Sequence, residues 1–153
     1  MIQEEINLNG VTISSAVPAC SQLTLLDVGK QIHCYVLKNG DLIGNSFVDS
    51  SLVDMYCNCQ QVESGHRVFY NALKRSIGIW NAMLAGYTQN GFFTKALMLF
   101  IEMMEFSGLS PNPTTVASIF LVWVHCEAFT LKEVIHGYVL NWDFQMKNTL
   151  KMH

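Results

Sequence analysis

The chain repeats itself, and this constrains its fold more than any other feature. Ser50-Ser51-Leu52-Val53-Asp54-Met55-Tyr56 and Asn81-Ala82-Met83-Leu84-Ala85-Gly86-Tyr87 both run from small or polar residues through apolar ones to a tyrosine, 31 residues apart. The same step relates Val68-Phe69 to Leu99-Phe100. A wider pair, Gln31-Ile32-His33-Cys34-Tyr35-Val36-Leu37 and Val134-Ile135-His136-Gly137-Tyr138-Val139-Leu140, is offset by 103 residues, which units of 36, 31 and 36 residues account for. The units are therefore 10–45, 46–76, 77–112 and 113 onward.

Each unit reads as two short helices. In the third, Ile79, Met83, Leu84 and Tyr87 fall at helical spacing before an Asn90-Gly91 turn. Phe93, Ala96, Leu97, Phe100, Met103 and Met104 continue in steps of three and four, and Gly108 with Pro111 closes the second helix. In the second unit Leu52, Val53 and Tyr56 precede a polar Asn58-Cys59-Gln60-Gln61 turn, followed by Val62, Val68, Phe69 and Leu73. Strand alternation of any length is missing from the sequence. A lone pair of helices about 12 residues long cannot bury its apolar face, so neighbouring pairs must stack to complete a core. The fold class expected is all-α, a helix-turn-helix repeat array.

Composition narrows the function classes. Half of the 153 residues are hydrophobic and 14% are charged, which excludes a disordered chain. The longest apolar stretch, Val116 to Val124, is too short to span a bilayer. Five scattered cysteines (Cys20, Cys34, Cys57, Cys59 and Cys126) do not form a disulfide framework, and we expect reduced, mostly buried thiols. Met1-Ile2-Gln3-Glu4-Glu5 reads as neither a secretory signal nor a transit peptide. We therefore expect either a cytosolic chain or one whose true N-terminus is missing.

Catalytic chemistry finds little support. No local motif surrounds the cysteines and histidines, and Gly86, Gly91 and Gly108 read as helix punctuation rather than a phosphate loop. Cys57-x-Cys59 with His66 lacks the spacing of a zinc site. No cofactor or metal is expected, and the chain is not read as an enzyme. His33 and His136 hold equivalent places in their units, which points to packing between helices.

Gly29-Lys30-Gln31-Ile32-His33, Leu52-Val53-Asp54-Met55-Tyr56 with Cys59, and Trp80-Asn81-Ala82-Met83-Leu84-Ala85-Gly86-Tyr87-Thr88-Gln89-Asn90-Gly91 resemble the plant pentatricopeptide repeat proteins. Lys95-Ala96-Leu97 leading to Leu99-Phe100 fits the same pattern. The alternation of unit lengths resembles the subclass that mixes long, short and standard repeats. On that resemblance 10–45 is a long unit, 46–76 a short one, 77–112 a standard one and 113–147 an irregular long one. Residues 1–9 then end a preceding standard unit, and 148–153 begin an incomplete one, so the chain reads as a fragment. The fold implied is an α-solenoid wound as a right-handed superhelix.

The resemblance implies sequence-specific binding of single-stranded RNA in a chloroplast or mitochondrion, each repeat reading about one base. The chain would act as an adaptor in RNA processing, most specifically cytidine-to-uridine editing. The catalysis would come from editing-complex proteins or from a deaminase domain supplied elsewhere. In the family, one residue early in the first helix pairs with the last residue of the unit to read a base. Here those pairs are Asn81 with Asn112, implying a pyrimidine, Ser50 with Ser76, leaning towards a purine, and Ser14 with Asn45. Ala117 takes the first reading position of the last unit with no polar atom to offer, and Gly78 stands where the family has a branched residue that sandwiches the base.

Charge tempers this. Nine Lys and Arg against twelve Asp and Glu give a net charge of −3, unlike most nucleic-acid binders. Lys30, Lys74, Arg75, Lys95 and Lys132 are the candidates for a positive stripe. We expect weak affinity from this segment alone. The alternatives are a protein-binding helical scaffold, which would carry a continuous apolar or carboxylate-clamping groove, and a degenerate remnant of such a gene.

Overall fold

The computed structural model describes residues 8–125. Residues 1–7 of the preceding tail, the second half of the last unit with His136, Cys126 and Lys132, and the start of the incomplete unit lie outside the described residues. The described residues form seven α-helices and no strand: α1 Gly10–Gln22, α2 Leu26–Lys38, α3 Ser46–Asn58, α4 Val62–Asn71, α5 Ile77–Gln89, α6 Phe93–Phe106 and α7 Pro113–His125. One turn of 3-10 helix, Gly40–Leu42, lies between α2 and α3. The odd-numbered helices begin at Gly10, Ser46, Ile77 and Pro113, in steps of 36, 31 and 36 residues.

Three turns between successive helices share one construction. Each has three residues: Leu23-Thr24-Leu25, Cys59-Gln60-Gln61 and Asn90-Gly91-Phe92. The middle residue takes positive φ, +52° at Thr24, +61° at Gln60 and +80° at Gly91. The amide after it then reaches back five residues, Leu25 to the Cys20 carbonyl at 2.9 Å, Gln61 to Tyr56 at 2.8 Å and Phe92 to Tyr87 at 2.9 Å. This is the helix ending that satisfies orphan carbonyls through a left-handed residue. Thr24 and Gln60 hold that conformation against their own Cβ. Thr24→Gly is therefore expected to raise stability by about 0.5–1 kcal/mol, with the strain relieved outweighing the lost rigidity. Gly91→Ala should shift the thermal midpoint the opposite way.

The described chain divides into two compact units, one ending at Phe92 and the other starting at Phe93. In the first, α3 is the central helix and packs against α1, α2, α4 and α5. Its Val48, Leu52, Val53 and Met55 are buried, joined by Ile13 and Val17 of α1, Phe69 of α4, and Ile79, Met83 and Leu84 of α5. Each such side chain contributes roughly 1.5–3 kcal/mol by leaving water.

Glycines let the helices approach α3. A Cβ at Gly65 of α4 would lie 2.9 Å from Cys57 Sγ, and one at Gly86 of α5 would overlap the same sulfur and lie 2.8 Å from Cys57 Cβ. Gly86 therefore does not punctuate a helix. It is buried within α5 because Cys57 of α3 fills the space a side chain would take. Gly91 and Gly108 are the ones that end helices, both at positive φ. Leu73 also departs from the sequence expectation. α4 stops at Asn71, the chain turns extended at Ala72, and Leu73 is left 78% exposed.

In the second unit α6 packs on α7. Ala96, Leu97, Leu99 and Met103 of α6 are buried, as are Thr115, Ser118 and Val122 of α7, which recur on one face of that helix. The Phe93 and His125 rings stack with centroids 5.3 Å apart. Among the described residues no helix is long and apolar enough to cross a membrane.

Candidate nucleic-acid interface

Positions 9, 45, 76 and 112, spaced by 36, 31 and 36 residues, all stand immediately before an odd-numbered helix. Asn9 caps α1, its Oδ1 accepting from the Thr12 amide at 2.8 Å. Asn45 caps α3, its Oδ1 accepting from the Phe47 and Val48 amides at 3.1 and 3.3 Å. Asn112 accepts from the Thr115 amide at 3.1 Å and the Thr115 hydroxyl at 3.0 Å. Ser76 holds the same place before α5, but its hydroxyl makes no capping bond. Capping uses the side-chain oxygen of an asparagine and not its amide nitrogen. Asn9 was not singled out among the reading candidates, although its offset of 36 from Asn45 marks it as their equivalent.

The early first-helix positions have their own local chemistry. The Ser14 hydroxyl donates to the Gly10 carbonyl at 2.7 Å, and the Ser50 hydroxyl donates to the Ser46 carbonyl. Pro18, inside α1, has no N–H to give to the Ser14 carbonyl one turn back. Asn81 is 8% exposed within α5, whereas Ala117 is exposed on α7.

One of the expected pairs is brought together. Ser50 of α3 and Ser76 flank Gly78, since a Cβ built there would lie 3.5 Å from one hydroxyl oxygen and 3.6 Å from the other. Asn45 closes on the start of α1, where a Cβ at Gly10 would lie 2.7 Å from Asn45 Nδ2, one turn from Ser14. Gly78 itself is exposed. Asn81 and Asn112 belong to different compact units.

Of the expected cations, Lys30, Lys74 and Lys95 are exposed. Arg75 is not simply a surface charge. Its Cζ lies 5.0 Å from the centroids of both the Phe69 and Tyr70 rings, and its Nη2 donates to the Tyr70 carbonyl at 3.3 Å. Burial raises the carboxyl groups of Asp49 and Asp54 above the usual range, partly offset at Asp54 by a hydrogen bond with Ser21.

His33 joins helices. Its Nδ1 shares a 2.7 Å hydrogen bond with the Tyr56 hydroxyl, tying α2 to α3, and the two rings meet edge to face. Burial lowers its pKa below 6.5. Below pH 6.5 the unfolded chain takes up a proton that the folded ring resists, so the stability contributed by His33 falls as pH drops through that window. The difference in thermal midpoint between wild type and His33→Gln is therefore expected to shrink from about pH 7.5 to about pH 5.5. Asp49 and Asp54 act in the opposite sense, and the subtraction removes them.

Cys57 is a packing residue. Burial pushes its thiol up to about 12, and its sulfur is wedged against Gly65 and Gly86. The His66 ring packs edge-on against Tyr70, 4.4 Å between centroids. Among the described residues no three His, Cys, Asp or Glu side chains gather to hold a metal ion.

The family described as PPR repeat matches residues 78–107. A chloroplastic pentatricopeptide repeat-containing protein of Arabidopsis thaliana is 52% identical over 154 residues, covering 98% of this chain and 17% of that protein. A second chloroplastic protein of that description from the same plant is 34% identical over 138 residues, covering 90% and 20%. A mitochondrial one is 32% identical over 125 residues, covering 82% and 16%. The chain thus spans a fifth or less of the length of these relatives.

Proposed function

Because the chain is a pentatricopeptide repeat protein, we propose that it binds single-stranded RNA base by base, as an adaptor in RNA processing in a chloroplast or mitochondrion. The observation that carries this reading is the recurrence of a polar residue at each odd helix start beside a second polar position early in a first helix. Ser50 and Ser76 present hydroxyls on either side of Gly78, and Asn45 closes on Gly10, one turn from Ser14. Asn81 with Asn112 completes the series in sequence, and amides can donate to and accept from a base edge.

The step lengths of 36, 31 and 36 residues support the subclass of long, short and standard units, and with it a role in cytidine-to-uridine editing. The relatives described as chloroplastic and mitochondrial support an organellar setting. In this reading the chain selects the RNA, and a separate deaminase activity performs the chemistry. Three complete units contact about three bases, so affinity is low.

The test is fluorescence anisotropy at low salt with short RNAs that differ at single positions. Asn81→Ala and Asn112→Ala are expected to weaken the preferred RNA about three- to tenfold each, the value of one lost hydrogen bond, with Tm measured as the control for the buried Asn81. Equal affinity for every sequence, unchanged by both substitutions, would sink the base-reading mechanism.

A further inference from the structure

A cleft of about 350 Å³ opens between α2 and α4, with α3 as its floor. Leu52, Val36 and Val68 line its base and are buried. Its mouth is apolar as well, with Leu37 62%, Ile43 48% and Leu73 78% exposed. Leu73 stays there because it packs on Gly44, whose Cβ would lie 3.2 Å from Leu73 Cδ1. Apolar side chains clustered around a concave opening are the mark of an interaction site.

Within this cleft stands a carboxylate with no partner. Asp49 lines it from α3, half-buried, and makes no side-chain hydrogen bond or ion pair among the described residues. The neighbouring His33 is engaged with Tyr56 and stays neutral, so it offers no compensating charge. Arg67 lines the opposite wall from α4, exposed and unpaired with Asp49. A half-buried carboxylate is satisfied most strongly by a charged donor that is desolvated along with it.

We propose that this cleft is a docking site for a polypeptide partner that places a lysine or arginine side chain against Asp49 and aliphatic side chains against Leu37 and Leu73. A free amine that only fills the cavity would leave the apolar mouth in water, whereas a polypeptide covers it. The guanidinium of Arg67 is placed to take a carbonyl of the same segment. RNA does not suit the site, since its phosphates would meet Asp49. The cleft is also separate from the base-reading positions. Asp49, Leu52 and Tyr56 form one stripe of α3 facing the cleft, and Ser50 is turned about 100° from Asp49, towards Gly78 of α5.

The test uses the whole 153-residue chain, anisotropy and amide chemical-shift mapping. The probes are a labelled amidated peptide with a central arginine between leucines, the same peptide with neutral citrulline, agmatine alone, and a single-stranded RNA. The arginine peptide is expected to shift the amides of Val36, Leu37 and Leu73, and citrulline to bind about tenfold more weakly, the loss of one charged hydrogen bond. Asp49→Asn should cost the arginine peptide that same factor and leave the citrulline peptide unchanged. Leu73→Ser, at an exposed side chain that the fold does not need, should weaken both peptides, and it keeps the test decisive if Asp49→Asn impairs folding. Agmatine binding as tightly as the peptide, RNA shifting the same amides, or no shift with either peptide would each overturn the proposal. Base reading is scored by the RNA mutants above, so either idea can fail alone.

Discussion

Phe69→Ala is expected to remove about 3–5 kcal/mol, a large part of the roughly 5–15 kcal/mol that holds a domain together. Phe69 is fully buried at the end of α4 and meets three neighbours. Trp80 of α5 packs edge-on at 4.8 Å between centroids, Tyr70 does so at 5.5 Å, and Arg75 rests its guanidinium over the ring at 5.0 Å. Truncation leaves a cavity, strips Trp80 of its partner and lets Arg75 return to water. Trp80 gives no compensating bond, because its Nε1 finds no acceptor among the described residues. Phe69→Leu should cost far less. Urea unfolding followed by circular dichroism decides the matter, and an unchanged midpoint for Phe69→Ala would mean that this aromatic cluster does not join α4 to α5.

The second large effect comes from adding one methyl group. Gly86→Ala is expected to cost about 1–3 kcal/mol, near the top of that range, because its Cβ would overlap Cys57 on the facing helix. α3 and α5 are in extensive contact, so they must separate or Cys57 must move. Cys57→Ala in the same chain should restore only part of the loss. It removes the Sγ overlap, but the Cys57 Cβ would remain 2.8 Å from the new methyl. Full rescue by Cys57→Ala would show that the sulfur alone sets the spacing. No loss in Gly86→Ala would show that the helices can separate freely.

Much of the helical order was legible in the chain because it rests on local spacing. The recurrence of Leu52, Val53 and Tyr56 against Met83, Leu84 and Tyr87 marked two first helices, and Asn90-Gly91 marked a turn whose glycine takes positive φ. Thr24 and Gln60 fall at the equivalent places by the 36- and 31-residue steps, but their positive φ was not legible. Neither residue favours positive φ, and only the packing of the flanking helices forces them there. Leu73 was misjudged for a related reason. Its spacing continues that of Val68 and Phe69, but α4 ends at Asn71 and spacing cannot mark where a helix stops.

The candidate site was legible as a set of positions and not as an arrangement. A period of 36, 31 and 36 residues picks out Ser14, Ser50, Asn81 and Ala117 and the closing residues Asn45, Ser76 and Asn112. That the closing residues stand at helix starts, with the asparagines spending their side-chain oxygens as caps, is a matter of backbone geometry.

The sequence by itself determined the all-α class, the helix pairs and their period, because these follow from residue type at short range. Tertiary structure alone decided that Gly86 is a contact point rather than a helix end, that Ser50 and Ser76 meet at Gly78, and that Asp49 stands in a largely apolar cleft with no side-chain partner among the described residues. Each of these depends on which helix lies opposite, and residues on different helices leave no local signal of their meeting.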